Sequence, residues 1–411
     1  MIAVDSNEDR KSWAPIGESE RYTTLDLIRG IALFGVLIVN LLYFFRIPLF
    51  EHILHFHSHP GRINHAIDLL VSEFVEFKAF GLFALTFGIG VAIQAERAGR
   101  RGVTIEFFLL RRFLILLVFG VAQMVLVSNV DILTLYALCA LLMIVLIRLP
   151  ASVIGLAGFA LLYLPWTFSG WPPLSPPATW PVFVSNANRI YSTGSFGAIL
   201  EFRWLETKEL ILPLLANVAQ QTLGLMLVGV AAWRIGVIRE SARYRTLLLV
   251  VSLGTGIVGL LNTAMVVLSH STGMPEVHIP FIHVLGSNVP LTFAYAAALF
   301  AWRPEGWVAA LSAPLAAMGR MALTTYLTQS IVLALLFYGY GFKLFGRLDP
   351  QTATVIGIAL YAGQLWFCVW WLKQYRFGPF EWVWRSLTYG RRQPMRKRRA
   401  GKRNAAKRPR V

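Results

Sequence analysis

The chain has 411 residues, of which 56% are hydrophobic and only 14% charged, with a mean hydropathy of +0.59. Soluble chains carry about 25% charged residues, so a water-soluble multidomain protein, a disordered chain and a coiled coil are all excluded. The net charge of +17 does not mark a nucleic-acid groove, because eleven positive charges and no acid lie in Arg391–Arg410, leaving +6 on the rest, and that run has no interleaved aromatics.

Residues 1–26 form a polar segment holding Asp5, Glu8, Asp9, Glu18 and Glu20. A cleavable signal would begin short and basic, so the first apolar run is expected to stay in the mature chain. A bilayer crossing needs about 20 apolar residues, and ten candidate runs follow: 27–46, 70–93, 107–128, 130–148, 151–168, 209–233, 246–269, 281–302, 319–340 and 352–373. Residues 27–168 make a first half of five spans and 209–373 a second. The connection 169–208 divides them. Its Pro-rich start, Gly170 to Pro177, cannot be helical, whereas Phe196 to Leu210 reads as a helix in the membrane interface with Trp204 as anchor. Residues 374–411 form the basic tail. Cys139 and Cys368 lie in apolar runs, so neither a disulfide framework nor a thiolate metal site is expected.

The distribution of Lys and Arg sets the direction of insertion. With a cytoplasmic N-terminus, 30 of the 38 basic residues fall on the inside, and an even number of spans returns the tail to the same side. The fold expected is therefore all-α, a polytopic bundle of about ten spans with both termini cytoplasmic. Its partners are membrane lipids, with anionic headgroups at the tail and no nucleic acid. In this orientation every histidine falls at or near the outer face: His52, His55, His57, His59, His65, His270, His278 and His283. Histidine moves protons near neutral pH, so proton-transfer chemistry is expected outside.

In span one, Asp26 and Arg29 are three apart and can pair on a helix. Arg29 and Asn40 are eleven apart, which is within about 20° of whole turns, so they share a face and lie roughly 16 Å apart along the axis. Gly30, Ala32 and Gly35 allow a close approach there. His52 is the first candidate base and His65 the second. The plain alternative is a wet histidine loop, with a zinc site as a third reading of the cluster. Glu73 and Glu76 share a helical face near the outer end of span two, beside Lys78. Arg111 and Arg112 open span three as anchors or as contacts for a nucleotide. Asp131 opens span four, where an acid at a helix N-terminus is favoured in its own right. Gln220 with Asn217 and Gln221 on span six, and Arg320 with Thr324, Thr328 and Gln329 on span nine, make polar stripes. Such stripes either bond helix to helix or line a ligand path. No pair of interrupted helices of the kind found in transporters is evident.

The run Arg21-Tyr-Thr-Thr-Leu-Asp-Leu-Ile-Arg29-Gly-Ile-Ala-Leu-Phe-Gly-Val-Leu-Ile-Val-Asn40 resembles the start of the YeiB-like, or DUF418, family. Further blocks follow in order: Phe83–Gly90, Asp131–Ala137, Gly319–Ser330 and Phe377–Tyr389. The family is distantly similar to transmembrane acyltransferases, including the heparan glucosaminide N-acetyltransferases, which share the Leu-Asp-x-x-Arg-Gly start. In those enzymes an Asn stands where Asn40 does, and the catalytic His lies eleven residues further. Glu51 occupies that position here, and His52 follows it. The resemblance implies a protein of the bacterial plasma membrane that takes an acyl group, most simply acetyl, from a cytoplasmic thioester to an extracytoplasmic lipid or glycan. It implies acyl-CoA as co-substrate with no tightly bound cofactor. In that scheme His52 is the base, Asn40 an amide donor to the developing oxyanion, and Arg29 a contact for the carrier's phosphates. Arg111, Arg112 and Arg320 are further phosphate contacts, and Asp26, Glu73, Glu76, Asp131, Gln220 and Gln329 border the path. A transporter or exporter of a small or lipid-like molecule is the alternative.

Overall fold

The computed structural model describes residues 22–54, 61–100, 104–163, 180–272, 288–302 and 304–397. Among these there is no strand, and one isolated antiparallel bridge, Tyr375 with Arg396, ties down the start of the tail. Five helices are long and apolar enough to cross a membrane, or six when one sharply bent pair is taken as a single span.

Helix α1 (Thr23–Val39) is followed without interruption by a π-helical turn, Asn40–Phe45. The run from Ile31 to Val39 has no polar side chain, so the helix can be buried on most of its surface, and eleven of its residues are buried. Short α2 (Leu49–Leu54) follows. The expected second span, 70–93, lies within one candidate span, Arg62–Arg100, which is built of α3 (Arg62–Phe74) and α4 (Lys78–Arg100). They part at residues 75–77, where Phe77 takes φ 58°. That left-handed conformation is disfavoured for a side chain with a Cβ, and no Gly or Pro announces it in the sequence. Helices α5 (Ile105–Leu126), α6 (Ile132–Leu146) and α7 (Ala151–Tyr163) come next.

The connection between the two halves holds α8 (Trp180–Thr193) and α9 (Phe196–Glu206), the latter where a helix is expected, with Trp204 exposed. It docks through Glu206, which accepts from Asn129 Nδ2 at 2.5 Å and from the Tyr191 hydroxyl at 2.5 Å. Burial pushes that carboxyl above its ordinary range, against the pull of these two bonds. The second half comprises α10 (Leu212–Ile235), α11 (Arg245–Thr272), α12 (Val289–Ala301), α13 (Gly306–Arg320), α14 (Ala322–Phe337), α15 (Pro350–Gln374) and α16 (Pro379–Tyr389).

Residues 303–320, expected as an inner loop ahead of span nine, instead contain helix α13, with Pro314 inside it. It meets α14 at Met321 with a 79° bend. The broken helix that the sequence does not reveal is therefore present. A buried carboxylate holds the break. Glu381 on α16 accepts from the Thr324 N–H at 2.9 Å and from its hydroxyl at 2.5 Å, while Thr324 Oγ1 accepts from Phe380 N at 3.1 Å. Each helix thus satisfies an orphan N–H at the start of the other.

Small residues set the helix contacts in the interior, as expected where packing rather than water drives association. A Cβ on Gly30 would fall on the Leu315 carbonyl, and one on Gly319 on the Asp26 carbonyl, so α1 and α13 touch backbone to backbone. Gly88 and Gly229 do the same for α4 and α10.

Candidate functional site

The π turn after Val39 leads from the C-terminal end of α1 toward α2. A π turn absorbs one extra residue relative to an α-helix. In α2 it is His52 that faces inward and Glu51 that does not. Glu51 accepts from Asn188 Nδ2 at 3.2 Å, whereas His52 is 9% exposed and lines a cavity of about 410 Å³. The imidazole stacks on Tyr43 with ring centroids 3.8 Å apart, and its Nε2 lies 3.5 Å from Glu76 Oε1. Tyr43 in turn donates to Asp68 Oδ1 at 3.0 Å. Ring and carboxylate therefore fix the orientation of the His52 side chain from two sides.

The cavity is walled mainly by apolar residues of α4, α6 and α10, among them Phe80, Leu135 and Leu225. Its polar edge carries Glu73, Glu76, Lys78, Asp131, Gln221 and Asn288. Glu73 lies in the last turn of α3 and Glu76 follows it among the residues between α3 and α4, and both border the cavity. Lys78 is almost fully buried and donates to the Ser72 carbonyl at 3.2 Å. The volume lies in the usual range for small-molecule sites, about 300–1,000 Å³.

Asp131 is buried as the N-cap of α6. It accepts from Thr134 N at 2.7 Å and Thr134 Oγ1 at 2.9 Å, and its other oxygen accepts from the Tyr326 hydroxyl at 2.9 Å. These bonds give it a structural duty even at the cavity wall. Asn40 is buried but is not among the residues lining the cavity. His65 is exposed on α3 and is not among them either. Gln220 bonds the Leu161 carbonyl at 2.9 Å, and Gln329 donates to Gln364 Oε1 at 3.0 Å. Both serve as contacts between helices. His55, His57, His59, His278 and His283 lie outside the described residues. Among the described residues no group of His, Cys, Asp and Glu has the makings of a metal site.

A second cluster lies at the N-terminal end of α1. Arg29 Nη2 donates to the Thr86 carbonyl at 3.0 Å, and Nη1 lies 3.7 Å from Asp26 Oδ1. The missing side chain at Gly90 leaves room for this guanidinium. Arg112 stacks on Trp384 with its Cζ 3.6 Å from the ring centre, and Trp384 Nε1 donates to the Arg112 carbonyl at 3.0 Å. Arg385, next along α16, lies over Phe377 at 4.7 Å. Arg385 is within electrostatic reach of Arg29, Arg112 and Arg320, and of Asp26 and Glu381. Burial pulls its guanidinium below the ordinary range, and Arg320 adds to this, while Tyr389, Glu381 and Asp26 oppose it. Arg111 stands apart, exposed beside Gly390. Reading the sequence alone passes over Arg385, Tyr43 and Asp68. The first sits in the Phe377–Tyr389 block, which was the available signal.

Comparison with known proteins fits this arrangement of blocks. The model of a family described as a protein of unknown function (DUF418) matches residues 232–391. The chain is 28% identical over 407 residues to the uncharacterized protein YxaH of Bacillus subtilis (strain 168), covering 94% of this chain and 99% of that one. It is 28% identical over 405 residues to the uncharacterized protein YeiB of Escherichia coli (strain K12), covering 90% and 96%. A third relative, from Bacillus acidopullulyticus, is named as an uncharacterized 39.9 kDa protein in the amylase 3' region and is 27% identical over 399 residues, 93% of this chain and 97% of its own. The chain is therefore similar to the YxaH and YeiB proteins along nearly its whole length, and its residues 232–391 match the DUF418 model.

Proposed function

We propose that this chain is a membrane acyltransferase of the bacterial plasma membrane. It takes an acyl group, most simply acetyl, from a cytoplasmic acyl thioester and passes it to an extracytoplasmic lipid or glycan. The observation that carries this reading is the His52–Glu76 pair on a cavity at one end of α1, with Arg29 and its neighbouring cations at the other. Glu76 orients the imidazole, as a carboxylate does in a base dyad. The acceptor O–H or N–H gives its proton to His52 as the oxygen or nitrogen bonds to the acyl carbon. The carbon–sulfur bond breaks, and the thiolate leaves to take up a proton. Arg29 holds the carrier's phosphates as a planar, always charged donor, and Asn40 lies between the two ends on the same helix. The reading keeps ten crossings with both termini cytoplasmic. The excess of Lys and Arg on the segments assigned inside supports that topology.

The test supplies labelled acetyl-CoA to inside-out vesicles containing the chain. Label is expected on an envelope lipid or glycan, falling about 10²–10⁴-fold in His52→Ala, the usual contribution of a general base, and strongly reduced in Arg29→Ala. No label with the wild type, or label unchanged in both variants, overturns the reading.

The break between α13 and α14 favours transport as a second reading, since interrupted helices often present their ends to a substrate. The N-terminus of α14 is, however, already occupied by Glu381. A transporter returns its substrate unaltered, so the same vesicles separate the two readings.

A further inference from the structure

We infer that the cavity beside His52 binds an uncharged, polyol-headed lipid, with Glu73, Gln221 and Asn288 holding the head and the wall of α4, α6 and α10 receiving the chain. This deepens the acceptor half of the reading above by choosing a lipid over a free glycan, and it rests on that reading only for the fate of the bound molecule. Three polar side chains from separate parts of the sequence meet at the cavity. Glu73 stands in the last turn of α3, Gln221 on α10 and Asn288 at the N-cap of α12. They are 7%, 8% and 6% exposed. Among the described residues no hydrogen bond or ion pair reaches any of the three side chains. Asn288 does not bond its own helix, although asparagine is a favoured cap. None of their polar atoms is sealed in by protein, as Gln329 Oε1 is, so they are open to whatever fills the cavity.

The other polar groups of the wall are engaged. Glu76 faces His52, Asp131 holds Thr134 and Tyr326, and Lys78 donates to the Ser72 carbonyl. Gln220, next to Gln221, spends its amide on the Leu161 carbonyl. Burying a carboxylate or amide without a partner is costly, and folded proteins keep few such groups. The occupant must therefore offer donors to Glu73 and both donors and acceptors to the two amides, and hydroxyl groups supply both. A phosphate head would meet Glu73 and Glu76 on the same edge, and an ammonium would meet Lys78 there. An uncharged head avoids both. The opposite wall, with Phe80, Leu135 and Leu225, is apolar. A free polyol would leave water against that wall, whereas a lipid chain fills it. A chain gains little by leaving other lipid chains, so the wall selects by fit and the polar edge fixes orientation. A second hydroxyl of the same head then reaches His52.

The test is photolabelling of the purified full chain in phosphatidylcholine nanodiscs, with no thioester present. The probe is a monoacylglycerol with a diazirine near the end of its chain, and labelled peptides are identified by mass spectrometry. Label is expected on the peptides holding Phe80, Leu135 and Leu225. An excess of unlabelled monoacylglycerol should reduce it severalfold, and an alkyl glucoside should do the same if the head is sugar-like rather than glycerol-like. Lysophosphatidic acid and an alkylammonium of equal chain length should compete poorly, and free glycerol and glucose not at all. Glu73→Gln should weaken labelling about tenfold, the loss of a hydrogen bond to a charged group. It should also let lysophosphatidic acid compete, which a merely structural change would not do. Label spread over the lipid-facing helices and insensitive to competitors overturns the site. So does equal competition by lysophosphatidic acid in the wild type, and competition by free glucose or glycerol assigns the cavity to a water-soluble polyol instead. Specific labelling in a chain that transfers no acyl group leaves this site standing and removes the reading above. Acyl transfer to a soluble glycan, with no labelling of the cavity, removes this site alone.

Discussion

The buried carboxylate of Glu381 joins α16 to the start of α14, and its removal gives a quantitative test of how the broken helix is held. Two bonds from Thr324 reach it at 2.9 and 2.5 Å, and the residue is 6% exposed. A hydrogen bond to a charged group contributes about 1.5–3 kcal/mol net, and a donor left buried without a partner costs about 1–3 kcal/mol. Glu381→Ala is therefore expected to destabilise by roughly 3–5 kcal/mol, in the range for stripping one side of a buried charged contact. Thr324→Val keeps the N–H bond but removes the hydroxyl link and its contact with Phe380 N, for about 1.5–3 kcal/mol. The double variant should fall short of the sum by about 1–2 kcal/mol, because the second change has less left to break. Reversible unfolding in mixed micelles titrated with dodecyl sulfate, read by tryptophan fluorescence, measures all four corners of the cycle. Additive losses, within about 0.5 kcal/mol, would show that the two residues do not hold each other and that the bend has another cause.

Gly30→Ala drives a Cβ onto the Leu315 carbonyl and should cost roughly 1–3 kcal/mol or more. Gly363→Ala, on a helix face with nothing near, should gain about 1 kcal/mol; the same unfolding assay compares them, and equal effects would contradict the packing. Lys343 is exposed at φ 61°, so Lys343→Gly should stabilise by roughly 0.5–1 kcal/mol, the relief of left-handed strain less the entropy of glycine. Asp349 caps α15 through Thr352 N at 3.1 Å, and the Thr352 hydroxyl, with that backbone bond adding to it, pulls its carboxyl below the ordinary value of 3.8. An acid with a lowered folded value adds stability above the unfolded value and loses it as pH falls through the folded one. Unfolding midpoints measured between pH 6 and pH 2 should thus show a small acid-side loss in the wild type that is absent from Asp349→Asn.

The apolar runs made the helices legible, because a stretch such as Ile31–Val39 has no other way to satisfy its backbone in a membrane. The helix at Phe196 was equally plain from its pattern. The breaks were not. Neither Phe77 nor Met321 carries a turn signal, and at Met321 the bend is held from a distance: Glu381 lies 57 residues from Thr324. The same limit applies to the site. His52 could be named from its place after Asn40, but its orientation depends on Tyr43 and Glu76 and on a π turn that no residue type announces. Arg112 meets Trp384 only once α16 has packed against α5. Asn40, Gln220 and Gln329 looked alike as intramembrane amides. The structure separates them by what they touch, with Gln220 and Gln329 bonded between helices.

A structure of the full chain in nanodiscs with a hydrolysis-resistant thioether analogue of acetyl-CoA tests the central claim most directly. Expected are phosphates on Arg29 and Arg112 and an acyl end pointing along α1 toward the His52 cavity. An analogue bound away from these arginines, or an acyl end shut off from the cavity by packed side chains, would contradict transfer from one end of that helix to the other.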